Sequence, residues 1–429
     1  MIPWILVPFA LLIIIGMPIA FCLLFATFIF LFKWGMIAPT VVPKSMFAGI
    51  DSFYLLAVPF FVLAGQVMNR SGITGRLVLF SNIVIGKVAG GLAQVNIFAS
   101  IIFAGLTGSG VADTSAIGSI LIPAMKKEGF RSDYSAAVTA ASSVIGPIIP
   151  PSILMVIYAN VMGISVGDLF AGGFIPGLMI GLGLMVLCFF YAKKYHHPCR
   201  TGSVSLKEFL FVTKDAILAL IMPGIIIGGI LGGIFTPTEA AAVAVGYAFF
   251  VGFFVFRSLK LSDLPDCFLE SAKVSGVILL IISCATAFGW GLTILKMPEM
   301  LAKSIMSVTS NPVFVLLLIN LFLLFMGMIM EVGANVIILA PILAPLAISL
   351  GVDPLHFAII MIVNLNIGLA TPPLGVCLFV AAPIAKVSLE DVSKAIFPFL
   401  LVEVAVLLLL TYMPSLTLVL PRILMGYGQ

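Results

Sequence analysis

The sequence predicts an all-α polytopic membrane protein made of two inverted-topology repeats, each with a re-entrant hairpin and a broken helix. Three observations predict it. First, 62% of residues are hydrophobic and 9% charged, whereas soluble domains run at roughly 45–50% apolar and about 25% charged. Second, apolar runs of the about 20 residues needed to cross ~30 Å of hydrocarbon recur along the chain, without the polar–apolar alternation of a barrel strand. Third, sliding the chain on itself by 222 residues aligns Phe103 with Phe325, Gly105 with Gly327, Ala112 with Ala334, Pro123 with Pro345, Gly146 with Gly368, Pro150-Pro151 with Pro372-Pro373 and Pro176 with Pro398. Most matches fall on glycine and proline, which fix backbone shape, so they report a shared fold more than a shared composition.

Taken in order, the runs place spanning helices at 3–31, 51–69, 133–159, 167–192, 216–233, 236–256, 273–295, 354–382 and 395–420. Pro18 is the point at which the first run would divide. That run is too long for a signal-peptide core and lacks a basic start and a cleavage site, so it is expected to be retained. The stretches 92–125 and 312–347 are interrupted midway, by Thr107-Gly-Ser-Gly110 and by Glu331-Val-Gly333, and read as hairpins that enter and leave on one side. Non-helical backbone at that depth survives only where protein or a wet cavity satisfies it. An amphipathic arm precedes each hairpin, at Gly72 to Gly90 and at Met297 to Val308. The expected organisation is a first repeat over 1–192, a connecting loop and helix over 193–235 and a second repeat over 236–429.

Orientation follows from the cations. With the N-terminus in the cytoplasm, most lysines and arginines, among them Arg70, Arg76, Lys87, Lys126, Lys127, Arg131, Lys193 and Lys194, fall inside, leaving Lys33, Lys44, Lys296, Lys303 and Arg422 outside. An odd number of spans precedes the second repeat, so the copies begin on opposite sides, as in many secondary transporters.

The segments expected to carry the chemistry lie mid-span. Gly146-Pro-Ile-Ile-Pro150-Pro151-Ser152 and Gly368-Leu-Ala-Thr371-Pro372-Pro373 each place two prolines near a glycine, which unwinds a helix and frees carbonyls. Freed carbonyls and opposed half-helix ends suit a hard desolvated cation such as Na⁺. Symmetry gives two candidate Na⁺ sites: Gly105, Ser109, Gly146 and Ser152 in the first half, Gly327, Gly368 and Thr371 in the second. The hairpin turns add Thr107, Asp113, Thr114, Glu331 and Asn335, and the broken helices add Ser142, Ser143, Pro150, Asn364 and Asn366, as candidates for substrate binding or gating. Intramembrane carboxylates are costly and usually functional, although Asp113 and Glu331 are also placed to cap helices. The asparagines and serines equally suit interhelical hydrogen bonding. Glu239, after Pro237, reads as a capping residue.

Several classes are excluded. The six cysteines are scattered with no C-x-x-C pair, and the net charge of +4 acts only through the side on which each charge lies, so nothing suggests nucleic acid. There is no G-x-x-x-x-G-K-[ST] loop, which leaves ion gradients as the fuel. A channel would share the hydropathy, but paired broken helices in an inverted repeat favour alternating access. An intramembrane serine hydrolase on Ser109 is a remote alternative that lacks a base, because His196, His197 and His356 lie in a loop or near a membrane edge.

At these residues the chain resembles the large membrane subunit of the tripartite ATP-independent periplasmic (TRAP) transporters. The resemblance runs over nearly the whole length, through Gly16-Met-Pro-Ile-Ala20, Ala112-Asp-Thr-Ser-Ala-Ile-Gly-Ser119, Gly146-x-x-x-Pro-Pro-Ser152, Pro237-Thr-Glu-Ala240 and Gly368-x-x-Thr-Pro-Pro-x-Gly375. It implies a multi-pass protein of the bacterial inner membrane and of the elevator-type ion-transporter superfamily. In such a protein the hairpins and broken helices carry substrate and Na⁺ past a scaffold. It also implies a separate small four-helix membrane subunit and a soluble periplasmic binding protein as partners. Implied substrates are organic acids, including C4-dicarboxylates and sialic acid, with a general likeness to the sialic acid branch that no single residue carries. A binding-protein-independent carboxylate transporter of the same superfamily is the alternative.

Overall fold

The computed structural model describes residues 3–35, 38–200, 205–297, 300 and 311–428. The first half contains α1 (Pro3–Ile14), α2 (Ile19–Trp34), α3 (Val41–Ile50), α4 (Ala57–Arg70), α5 (Ile73–Ile85), α6 (Gly91–Thr107), α7 (Gly110–Lys127), α8 (Ser132–Ser143), α9 (Ile153–Met162) and α10 (Val166–Tyr195). Then follow α11 (Leu206–Leu231), α12 (Pro237–Phe250), α13 (Leu264–Ile294), α14 (Pro312–Ile329), α15 (Val332–Ser349), α16 (Pro354–Gly368), α17 (Val376–Ala385), α18 (Leu389–Tyr412) and α19 (Ser415–Met425). Among the described residues 8 helices are long and apolar enough to cross a membrane.

From α7 onward the helices keep the 222-residue offset almost residue for residue. Gly110–Lys127 is matched by Val332–Ser349, Ser132–Ser143 by the first twelve residues of Pro354–Gly368, and Ile153–Met162 by Val376–Ala385 one position late. The breaks fall where glycine and proline put them. Residues 144–152 and 369–375 run as short turns between half-helices, and both Pro150-Pro151 and Pro372-Pro373 are joined by cis peptide bonds.

Two groups of helices face each other. In one, α13 packs on α2, α3 and α4, and α12 packs on α4. In the other, each helix pair lies on its own broken helix: α6 and α7 on α8, α14 and α15 on α16. The second half of each broken helix crosses over, α17 packing against α7 and α8, and α9 against α15. The halves are thereby interlocked around α8 and α16, buried from Tyr134 to Ser143 and from Leu355 to Gly368. Such burial requires small or apolar side chains on every face.

Several expectations need correction. The first run is two helices, not one span over 3–31. Gly16, at φ +83°, ends α1, and Pro18 supplies the extended residue that opens α2. The two pack side by side, with the Lys33 ammonium 4.8 Å from the Trp4 ring centre. The N-terminus therefore lies on the same side as Lys33, not opposite it as a cytoplasmic start required. The span expected at 395–420 ends at Tyr412, and after Pro414 the chain continues as the separate helix α19, packed on α10. The helix expected at 216–233 begins at Leu206. The segment 51–69 is preceded by the unexpected α3, whose helix stops at Asp51 before the turn Phe53–Leu56. The first arm is α5, lying on α6 and α11 and tied to α11 by an Arg76–Asp215 ion pair at 3.2 Å. The second arm, 297–308, lies almost wholly outside the described residues. Glu239 forms the expected cap: its Oε2 accepts the Thr236 N–H at 2.8 Å, and the Thr236 hydroxyl oxygen accepts the Glu239 N–H at 3.3 Å.

Candidate functional site

In the first half the site begins where α6 runs out. Gly108, at φ +59°, takes the left-handed turn that ends the helix, and Ser109 caps α7 by accepting the Ala112 N–H at 3.5 Å. One turn later Asp113, fully buried, accepts the Thr107 hydroxyl through one oxygen, while its Oδ2 has no partner. That oxygen lies against the broken helix: a Cβ on Gly146 would collide with it and stand 3.3 Å from the Ser143 carbonyl. Glycine at 146 is therefore what admits the carboxylate. Pro151 O would lie 2.8 Å from a Cβ at Gly108, and Pro150 O 3.5 Å from one at Gly105. The hairpin tip and the unwound segment thus meet backbone to backbone.

Ser152 is not available to a ligand in the same way. Its hydroxyl donates to Pro147 O at 2.6 Å and accepts from Met155 N–H at 3.3 Å, so it braces the unwound loop and caps α9. Thr114 likewise donates to Gly110 O at 2.8 Å, and Ser143 to Thr139 O at 2.7 Å. Ser142 accepts from Ser100 at 2.9 Å and approaches Asn96 at 3.1 Å, in a buried network that also holds Thr139. That network fastens α6 to α8.

In the second half the same positions are filled differently. Glu331 caps α15, accepting the Ala334 N–H at 2.9 Å, and is exposed. Asn335, at the position of Asp113, donates to Met326 O at 3.1 Å and Met330 O at 3.2 Å, leaving its buried Oδ1 without a partner. Gly327 and Gly368 meet so closely that a Cβ on Gly368 would lie 2.6 Å from Gly327 Cα. Thr371 donates to Ile367 O and Asn366 to Ile362 O, both at 2.7 Å. Asn364 donates to Asn320 Oδ1 at 2.7 Å, and Asn320 to Thr411 at 3.0 Å, a second interhelical fastening. The Oδ1 atoms of Asn364 and Asn366 are also buried without partners.

Buried oxygens without donors fit the donor set that a hard monovalent cation takes. Among the described residues no three His, Cys, Asp or Glu side chains gather as a metal cluster. Of the described histidines, His356 is bonded to Thr417 at 2.7 Å and to Thr411 O at 3.2 Å, and His197 sits between the Phe130 and Tyr134 rings, so both are engaged away from Ser109.

A cavity of about 460 Å³ opens between the two hairpin tips and the facing helices α4 and α13. Thr107, Ser109 and Glu331 line it from the tips, Gln66 and Asn69 from α4. Sequence reading missed Gln66 and Asn69, although an amide pair three residues apart in an otherwise apolar helix was the available signal. It also missed Glu403, a lone carboxyl in the middle of α18, fully buried with neither oxygen partnered.

Comparison with known proteins places these features in a family setting. A family model described as "Tripartite ATP-independent periplasmic transporter, DctM component" matches residues 6–416. The chain is 40% identical to the sialic acid TRAP transporter large permease protein SiaM of Vibrio cholerae, covering 96% of this chain and 97% of that one. It is 41% identical to the C4-dicarboxylate TRAP transporter large permease protein DctM of Pseudomonas aeruginosa, over 88% of each. The Neisseria gonorrhoeae MtrF structure resembles it in fold, with a TM-score of 0.60 at 14% identity, covering 87% of this chain and 83% of that one.

Proposed function

This chain belongs to the DctM family, the large permease subunits of tripartite ATP-independent periplasmic transporters, and from that premise we propose sodium-coupled uptake of a small organic acid by an elevator motion. The chain is a multi-pass membrane transporter component and not an enzyme. The observation that carries the coupling proposal is Asp113, a buried carboxylate with one free oxygen at the junction of hairpin and broken helix. An isolated charge there is unfavourable by several kcal/mol, and a co-transported Na⁺ held by Asp113, the Ser143 carbonyl and the neighbouring turn offsets it. In the second half, Asn366 Oδ1 and Thr371 supply neutral oxygens for a second cation.

The cavity between the tips has the volume of a small-molecule site. A carboxylate entering it meets the α7 N-terminus, whose amides and dipole favour an anion. We assign the substrate to the sialic acid or C4-dicarboxylate class. The near-equal identities to permeases named for each leave the two even.

In this reading α2, α3, α4, α12 and α13 form the fixed wall. The hairpins and broken helices move past it, the interlock of α9 with α15 and of α17 with α7 making them travel as one body. Matching α1–α2 with α11–α12 keeps the copies inverted, and cytoplasmic Arg70 to Arg131 then put the N-terminus on the periplasmic side. The partners are a small four-helix membrane subunit and a soluble binding protein.

Uptake into proteoliposomes containing this chain and the small subunit tests the proposal. Accumulation is expected only with an inward Na⁺ gradient and with the liganded binding protein outside. Uptake indifferent to Na⁺ overturns the coupling, and uptake indifferent to the binding protein favours the stand-alone carboxylate transporter. Thr371→Val, isosteric but without a hydroxyl oxygen, is expected to raise the half-saturating Na⁺ concentration about threefold or more, corresponding to ~0.7 kcal/mol or more. An unchanged sodium titration of a folded variant removes Thr371 from the second site.

A further inference from the structure

The wall that faces the hairpin tips differs from one end to the other. It lines the cavity with α4 residues from Val62 to Asn69 and with α13 residues from Val274 to Ile281. Both segments lie near the cytoplasmic ends of their helices. Arg70, the last residue of α4, follows Asn69 directly and pairs with Asp266, in the first turn of α13, at 3.3 Å. The apolar stretch of α13 begins only after Lys273, so Val274 to Ile281 are its first turns. With Arg70 in the cytoplasm, the tips stand at the cytoplasmic end of the wall, which is the inward position of the moving body.

At that end the wall presents two amides. Gln66 and Asn69, three residues apart, share one face of α4 and both line the cavity. Asn69 Oδ1 accepts the Thr74 hydroxyl at 2.9 Å, which leaves its NH₂ group to donate elsewhere. Among the described residues neither amide nitrogen has an acceptor, and Gln66 is only half-buried. Towards the periplasmic end these two helices offer nothing comparable. Residues 57–63 of α4 are apolar throughout, and the face of α13 that carries Ile278 continues into Ala285 and Leu292.

We propose that Gln66 and Asn69 bind the substrate in the inward position alone, their N–H groups donating to carboxylate or hydroxyl oxygens of the organic acid. Among the described residues no lysine or arginine lines the cavity and Glu331 is its one charged side chain, so neutral donors carry the recognition of an anion from the wall side. A contact with the tips, such as Ser109, travels with the acid and favours neither position. A contact with the fixed wall is made at one end of the movement only. A ligand shifts an equilibrium by its differential affinity for the two states. The two amides therefore draw the loaded body inward and leave the empty body unaffected.

The inference rests on the elevator reading given above, and the experiment separates the two. Proteoliposomes hold the chain and the small subunit. Labelled N-acetylneuraminate, with succinate in parallel, is supplied outside on the cognate binding protein or from the lumen in exchange. The external binding protein selects molecules whose cytoplasmic side faces the lumen. Gln66→Met keeps the side-chain length, and Asn69→Asp keeps the acceptor for Thr74. In each, the half-saturating lumenal concentration is expected to rise about fivefold or more, while that of the liganded binding protein outside changes by less than about twofold. Equal weakening from both sides overturns the one-sided contact. Transport unchanged from both sides shows that the amides do not touch the acid, and leaves the transport reading standing. If the unmodified chain accumulates neither acid, the transport reading fails first. Hydroxyl-radical labelling of the unmodified chain gives an arm independent of variant folding. At an acid concentration that raises its melting temperature, protection of the peptides holding Gln66 and Ile278 is expected. Labelling of both unchanged by the acid overturns the inference.

Discussion

The tips of the two helix pairs occupy equivalent places in the two halves, but they are held shut by different chemistry. The first is polar and glycine-rich, and Asp113 reaches across to Gly146 with one oxygen to spare. In the second, Ile329, Met330 and Val332 stand where Thr107, Gly108 and Gly110 stand in the first. There Asn335 turns inward to close its own hairpin through Met326 O and Met330 O. Near the break in the second broken helix the close approach is between two glycines, Gly327 and Gly368, packed backbone on backbone. One backbone plan thus serves a charged junction in one half and a steric one in the other. A repeat conserves geometry more readily than it conserves the electrostatics laid on it.

The largest expected effect breaks the steric junction. In Gly368→Ala the new methyl group meets Gly327 backbone atoms at 2.5 to 2.8 Å. Backbone cannot rotate aside, so a loss of at least about 1–3 kcal/mol of stability and of nearly all uptake is expected. Gly146→Ala meets the Asp113 side chain instead, which can swing away, so this variant is expected to fold and to lose sodium dependence. Comparing detergent-solubilised melting temperatures with sodium titrations checks both. Equal melting of the two variants contradicts the distinction between the junctions.

A smaller pair of effects concerns the equivalent residues 113 and 335. Asp113→Asn removes the charge but keeps the shape, and is expected to raise the half-saturating Na⁺ concentration about tenfold, corresponding to ~1.4 kcal/mol. Asn335→Ala removes the side-chain donor to the Met330 carbonyl and leaves the Met326 carbonyl only the Met330 N–H at 3.0 Å, which costs about 1–3 kcal/mol of stability. Its expected signature is a lowered melting temperature with a sodium affinity changed by less than that of Asp113→Asn. A reversal of these signatures would place the principal cation ligand in the second half.

How far the sequence revealed this arrangement depended on the kind of signal. The interruptions at 144–152 and 369–375 were legible because a Pro-Pro pair acts on the backbone wherever it occurs. The register of the second half followed from them almost to the residue. The division of α1 from α2 was harder to read, because Gly16-Met17-Pro18 breaks an apolar run without any polar residue to mark a surface. Asp113 was legible as a carboxyl inside a hairpin. The difference between its free oxygen and the satisfied hydroxyl of Ser152 was not, since both stand beside glycine and proline and differ only in their tertiary partners. Gln66, Asn69 and Glu403 were hidden by the opposite problem: each is a single polar group in a spanning helix, and its significance depends on what faces it.

The smallest effect tests the outer ends of the same two halves, where Tyr134 and His356 are equivalent. His356 is tied by hydrogen bonds to Thr417 and Thr411, whereas Tyr134 belongs to an aromatic box with Phe130, Tyr191, Tyr195 and His197. His197 lies in the loop after α10, and partial burial among these rings holds its protonation below the ordinary histidine range. The unfolded chain therefore takes up the proton first. The stabilising contribution is complete above about pH 6.5, the ordinary histidine value, and is lost as the pH falls from there towards the lower folded value. His197→Phe, which keeps the ring and removes the titration, is expected to lessen the fall in melting temperature between pH 7.5 and pH 5.5 by about 1–2 °C. Because His197 is only half-buried, solvent screening keeps the effect small. A pH dependence of melting identical in variant and wild type would show that the box gains nothing from keeping His197 neutral, and would leave the holding of the loop to backbone contacts such as Gly91 against Pro198 and the Arg200 N–H donated to Gly86 O at 2.9 Å.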